Sequence, residues 1–420
     1  MRVLLVNDNE PSTNIGCRET AHGFRKIISE KGHDIENQIY IDELRKGISG
    51  ELIDRKDRIK NASSRIDVGV PTIDQIKPKS VYRSMGKLLS GTPTNAREIK
   101  KIGDEYGVKI LPEDHKSSLE KSDLVLVNGE GAFYKNRTHA RLMLYYAYVA
   151  TKLDSTKTVV SNLTLSFDDI FISPELRSMA TFVLPLVDEV IFREPYSYSE
   201  YTNKTSETNC TLGADVAFAN RSKNLQSLPQ EELFSFLDFW NDKQPSIKST
   251  EEYVCMGGNS IYTVSDTAKA PASQYGELID EIKESYSVIL VPSKEADEKY
   301  LREVAERNSV PMVSSKNSLG LLRGLLSNAS AYVGGRYHPA VFALSERTPI
   351  ICFSTKQNKN KGLLEHAGFD INVYDAYNFQ EHKEQIKGNL DKLTAEFPNR
   401  KFDEQVNKLE RLARKNCPKT

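Results

Sequence analysis

No stretch of this chain approaches the ~20 consecutive apolar residues that a membrane-spanning helix needs. The opening "MRVLLVNDNEPS" turns polar at once, too early for a secretory core, so a cytoplasmic protein is the expectation. Cysteine is scarce: Cys17, Cys210, Cys255, Cys352 and Cys417 lie far apart, odd in number and never as C-x-x-C. That pattern excludes a disulfide framework and a zinc ribbon and fits a reducing compartment. An excess of one charge is missing too. The chain has 57 Lys and Arg against 58 Asp and Glu, a net charge of -1, with the two signs interleaved. Nucleic-acid binders concentrate basic charge in a domain or stripe, so no nucleic-acid partner is expected and any anion site must be local. There is no G-x-G-x-x-G fingerprint. No spacing of acids or histidines resembles a metal site, so no metal and no cofactor is expected.

What is present is an α/β rhythm. At 420 residues the chain is too long for one ordinary core and suits two domains. "RVLLVN", a polar loop and the amphipathic "RETAHGFRKIISEKGHDI" form a strand–loop–helix unit, and "IENQIYI" reads as the next strand. The rhythm returns at "DLVLVNGEGAFY" and "RLMLYYAYVATKL", and starts afresh at "EEYVCMGGNS". Strands alternating with helices argue parallel sheets covered on both faces. The fold class expected is α/β, two doubly wound Rossmann-like domains facing a cleft. The N-terminal domain would span 1–222, with a polar insert of short helices and surface loops at about 43–121. A linker at 223–250 and a second domain at 251–395 follow, and the helix in 396–420 would pack back across the molecule.

In open α/β sheets ligands bind beyond the carboxyl ends of the strands, which directs attention to the polar residues there. In "AYVGGRYHPAVFALSE", Gly334 and Gly335 permit a tight turn and close approach of a ligand. Arg336 offers a planar fork to a carboxylate or phosphate, and His338 falls at a helix N-terminus with Pro339 as the expected first residue. The alternative is a turn, a solvated arginine and a cap neighbour. Lys356, after the next strand, would add a cation at the same rim. Arg193 ends the strand "DEVIF" in the other half; it could clasp a dianion together with Arg336, or simply pair with Glu194. After "LVLV", Asn128 could bond sugar hydroxyls and Glu130 could act as a base, flanked by Gly129 and Gly131. Those residues could equally be a helix cap with a first-turn acid. Asn14, Gly16 and Cys17 form the first strand–helix loop, with Cys17 read as a packing or acceptor-loop residue. Asp215 in "LGADVAF" is either a cleft residue or a turn acid.

The order of these motifs resembles the polysaccharide pyruvyl transferase family: an Asn-x-Gly loop, a strand–Gly-x-Gly, "FREPYSYSEY", "LGADVAF" and "GGRYHPAVFALSERTPIICFSTK". The resemblance implies a fold like the GT-B glycosyltransferases and transfer of a pyruvyl group from phosphoenolpyruvate to a sugar hydroxyl, forming a ketal. It assigns Arg336, Arg193, Gly335 and Lys356 to the donor and Asn14, Gly16, Asn128, Gly129 and Gly131 to the acceptor. His338 would protonate C3 of the donor and Glu130 would take the hydroxyl proton. The partners implied are phosphoenolpyruvate and a sugar or glycan, with peripheral association with a membrane-bound glycan pathway as an option. Cys17, Glu130 and Glu194 depart from the residues usual in the family. Two rival readings are a GT-B glycosyltransferase using a nucleotide sugar and a non-catalytic glycan- or anion-binding protein of the same fold.

Overall fold

The computed structural model describes residues 1–46, 92–165, 172–220, 230–238, 252–262, 272–355, 358–397 and 399–419. The first sheet contains β1 (Arg2–Asp8), β2 (Asp34–Tyr40), β3 (Leu124–Asn128), β4 (Lys157–Leu163), β5 (Glu189–Phe192) and β6 (Cys210–Leu212). Its order is β2-β1-β3-β4-β5-β6, with every pairing parallel. The second contains β7 (Leu237–Asp238), β8 (Tyr253–Asn259), β9 (Ser287–Val291), β10 (Met312–Val313), β11 (Ala331–Gly335) and β12 (Ile350–Cys352). Its order is β12-β11-β8-β9-β10-β7, and only the short edge strand β7 runs antiparallel.

β3 and β8 are buried along their whole length, as continuous apolar runs covered on both faces must be. Chain order reverses direction between β1 and β3 in one sheet and between β8 and β11 in the other. The loops beyond those switch points are where ligands enter a doubly wound sheet.

Two expectations change. Residues 47–91 of the polar insert lie outside the described residues. Its remainder is no surface decoration: helices Ala96–Glu105 and Glu113–Lys121 send Ile99 and Leu119, with no exposure, into the core against Leu4 and Val6 of β1. Few apolar residues suffice there because they fall on one helical face. Part of the expected linker is also structured, since residues 230–238 form a short helix and β7 of the second sheet.

One apolar core continues through both halves, joining Val3 and Leu5 of β1 to Tyr253 and Cys255 of β8. The helix Tyr337–Ser345 is its centrepiece. It is apolar nearly all round and buried nearly all round, with His338 its one partly open residue. The helix Arg400–Ala413 places Val406 and Leu409 in this core beside Val216 of the first half. Asn416 then bonds Ser161 and Asn162 at the end of β4. Buried Arg323 adds an ionic clasp, pairing with Glu346 at 2.5 Å and, across the halves, with Glu19 at 3.1 Å. Among the described residues no helix is long and apolar enough to cross a membrane.

Candidate active site

A cavity of about 520 Å³ opens where the two switch points face each other. The first half contributes Asn14, Cys17, Glu130, Gly131 and Arg193 to its wall, and the second contributes Lys294, Arg336, Tyr337, His338 and Lys359.

Arg336 leaves β11 in extended conformation as the cap residue of helix Tyr337–Ser345, so His338 is the second helical residue and Pro339 the third rather than the first. Proline is still tolerated there because first-turn N–H groups have no intrahelical partner. The Arg336 fork is not waiting empty for a ligand. Its Nε lies 2.9 and 3.0 Å from the two carboxylate oxygens of Asp297, and Nη2 also donates to Oδ1. Asp297 is fully buried and also accepts from the backbone N–H and hydroxyl of Ser293. Arg336 therefore reaches the cavity as a charge whose orientation is already set. Gly335 does not line the cavity; a Cβ there would collide with the Asn259 side chain at 2.0 Å, so the glycine permits strand packing.

His338 is largely enclosed. Its side chain is 15% exposed, and its buried Nε2 lies 3.9 Å from Asp215 Oδ2, too far for a hydrogen bond. Burial pushes its pKa down to about 3; Asp215 opposes this, while Arg193, Lys359 and Arg336 reinforce it. The unliganded imidazole is thus neutral at physiological pH. Gly16 of the opposite half packs against it so closely that a Cβ would stand 2.2 Å from Nδ1. Gly16, expected to serve the acceptor, is instead the surface on which the imidazole rests.

Arg193 follows β5 and is buried. Its Nε donates to Thr164 Oγ1 at 2.7 Å and its Nη1 to Asp215 Oδ2 at 2.8 Å, and its guanidinium lies 4.4 Å from the centroid of the Tyr337 ring. Its sequence neighbour Glu194 does not pair with it. Glu194 caps helix Pro195–Thr205 by accepting from Ser197 N at 3.1 and 3.2 Å, and burial lifts its pKa to about 7. Asp215 is fully buried behind the cavity wall: it accepts from the backbone N–H of Ala217 at 2.9 Å as a turn acid does, holds Arg193, and lies near His338.

Glu130 adopts a left-handed φ of 42°, uncommon for a residue with a Cβ, which turns its carboxylate toward the cavity. Thr20 donates to it. Burial raises its pKa, with Asp215 adding to the effect against Thr20 and Arg193. Asn128 and Gly129 are not on the cavity wall. The Asn128 amide donates to Asn7 O at 3.3 Å and Asn7 returns a bond of 2.7 Å, so Asn128 ties β3 to β1. Gly129 packs on Leu163, where a Cβ would lie 2.7 Å from a methyl group. Asn14 lines the cavity and also caps the first helix, accepting from Gly16 N at 3.0 Å. Cys17 lines it as well, its thiol pKa raised by burial and then by Glu130.

A model of the polysaccharide pyruvyl transferase family matches residues 20–357, spanning Glu130, Arg193, Arg336 and His338. The chain belongs to that family. No curated protein is similar enough in sequence to be matched. Solved structures show the fold. A UDP-GlcNAc 2-epimerase from Neisseria meningitidis bound to UDP-GlcNAc superposes with a TM-score of 0.55 at 11% identity, covering 98% of this chain and 97% of that one. The Methanocaldococcus jannaschii UDP-GlcNAc 2-epimerase in complex with UDP-GlcNAc and UDP gives 0.51 at 14% identity, covering 97% and 99%. A trehalose-6-phosphate synthase gives 0.52 at 9% identity, covering 99% and 96%. The pyruvyl transferase family member thus has the GT-B fold and is a transferase.

Sequence reasoning did not single out Lys359, Lys294 or Asp297. Lys356 lies outside the described residues, whereas Lys359, a few positions on, lines the cavity with its Nζ 5.7 Å from the Tyr337 ring centroid. Burial, then Arg193 and Arg336, bring its pKa down to about 7. Lys294 caps helix Glu295–Asn308 at the end of the loop after β9. Asp297 holds Arg336. The last two sit in "KEADEKYLREV", where regular charge spacing resembles a solvated helix. The available signal was that this helix follows a buried strand.

Proposed function

We propose that the protein transfers a pyruvyl group from phosphoenolpyruvate to sugar hydroxyls of a glycan or glycan precursor, forming a ketal. The observation that carries this reading is one arginine from each half, Arg193 and Arg336, at strand ends of a single cavity that His338 also lines. Phosphoenolpyruvate offers a carboxylate and a phosphate, and preset guanidinium groups with a helix N-terminus suit both. Lys359 supplies a further cation that titrates near neutral pH.

In the reaction a sugar oxygen attacks C2 while C3 gains a proton and becomes a methyl group. A second hydroxyl then displaces the phosphate, so the C2–O bond to phosphate breaks and inorganic phosphate leaves with the remaining proton. Glu130 is placed to take a hydroxyl proton. His338 is the donor of the C3 proton, and its resting neutrality makes that role depend on the substrate. The negative charge of phosphoenolpyruvate offsets Arg193, Arg336 and Lys359 and raises the imidazole pKa, so binding arms the acid. Without substrate, His338 is uncharged.

The epimerases sharing the fold hold UDP-GlcNAc, so a nucleotide sugar is the donor to discriminate against. A thermal-shift panel does so, since a ligand of the native state raises its melting temperature. Stabilisation by phosphoenolpyruvate and not by UDP- or GDP-sugars is expected; the reverse result would overturn the reading.

A further inference from the structure

The cavity wall carries cations beyond those around His338. Around His338 lie Arg193, Arg336 and Lys359, and the two arginines are each held by a buried aspartate. Two further cations, Arg137 and Lys294, one from each half, are on the same cavity wall. Neither forms an ion pair with a carboxylate among the described residues. Arg137 is stacked instead on Tyr134, its guanidinium 3.6 Å from the ring centroid, which fixes its direction without neutralising it. Lys294 is pushed down by burial first, then by Arg336, with a smaller effect from Arg137. Arg137 is pushed down to about 10 by burial and then by Arg45. The only described carboxylate beside Lys294, Asp297, is already committed to Arg336. Two half-buried like charges facing one cavity are costly to hold there unless an anion joins them.

We propose that Arg137 and Lys294 form an anion subsite for the acceptor, so that the glycan receiving the pyruvyl group carries a phosphate or carboxylate. The proposal rests on the pyruvyl-transfer reading of the cavity and names the class of its second substrate. The pair spans the two halves, so an anionic acceptor would bridge them while its hydroxyls face the donor region. A neutral sugar would leave both cations without a counterion, and that is the basis of the selectivity.

The test measures binding rather than turnover, with phosphoenolpyruvate saturating and glucose 1-phosphate, glucuronate or methyl glucoside added by calorimetry. The wild-type protein is expected to bind at least one of the two anionic sugars and to ignore methyl glucoside; which anion binds identifies phosphate or carboxylate as the recognised group. Arg137→Met and Lys294→Ala, made separately, are each expected to weaken that binding by about tenfold, as loss of a charge-assisted bond does. Phosphoenolpyruvate affinity should stay within about threefold in both, as expected for charges outside its contacts. The proposal is overturned if neither anionic sugar binds, or if both variants weaken phosphoenolpyruvate tenfold and leave sugar binding unchanged, since the pair would then belong to the donor. If wild-type protein binds glucose 1-phosphate through Arg137 but never phosphoenolpyruvate, the anion subsite stands and the pyruvyl-donor reading falls.

Discussion

The two halves of the cleft solve the same problem with the same parts and put them to different use. Each sends an arginine off the end of a parallel strand, Arg193 after β5 and Arg336 after β11, and each anchors it on a fully buried aspartate. Both anchors stay off the cavity wall, and in the second half Asp297 serves Arg336 and the Ser293 turn. In the first half the anchor Asp215 also reaches within 3.9 Å of His338 on the opposite side. Gly16, again from the first half, supplies the surface the imidazole rests on. On the proposed mechanism the second half carries the proton-transfer group, and the first half sets its position and charge. A site divided this way functions only when the halves are docked, which accounts for their shared core and the Arg323 clasp.

The largest effect expected is from His338→Ala. Loss of a positioned acid costs roughly 10²–10⁴ in rate, read as phosphate release, while phosphoenolpyruvate binding persists. Next, Asp297→Ala would strand a buried guanidinium and is expected to destabilise the protein by about 3–5 kcal/mol in chemical denaturation. Asp215→Asn sharpens the contrast: it removes a carboxylate that favours the charged imidazole, so it should suppress turnover more than Asp297→Asn does at equal stability. Equal losses would show that the anchors are interchangeable and the division of labour unreal.

Gly16→Ala is expected to lower turnover by about 10- to 100-fold, because an ångström-scale displacement of a catalytic group has that cost. Its melting temperature should change little compared with Asp297→Ala. Unchanged turnover would mean that the first half does not position His338.

These residues also mark how far sequence carries. The strand-end rule located Arg193, Glu130, Arg336 and His338, because buried strands and Gly-rich turns are local patterns. Asp297 and Lys294 were hidden, since evenly spaced charges look the same whether a helix faces water or a cleft. Asn128 and Gly16 were misjudged for a related reason. Their neighbours, Asn7 and His338, are distant in the chain, and only packing reveals that one ties two strands and the other supports an imidazole.

The smallest effect expected concerns pH. Lys359, brought down to about 7, loses its charge as pH rises through that value, so phosphoenolpyruvate affinity should fall a few-fold between about pH 7 and 8. Lys359→Met should flatten that fall, which separates it from any ionisation of the donor. A fall of the same size in the variant would exclude Lys359 from donor binding.

The central claim is that the substrate arms His338. Following the His338 ring by nitrogen-15 NMR across pH tests it directly, first alone and then with saturating phosphoenolpyruvate. The free imidazole is expected to stay neutral down to about pH 3 and, with the donor bound, to titrate in the neutral range. An imidazole that remains neutral at pH 7 in the complex, while phosphate is released at full rate, would contradict it.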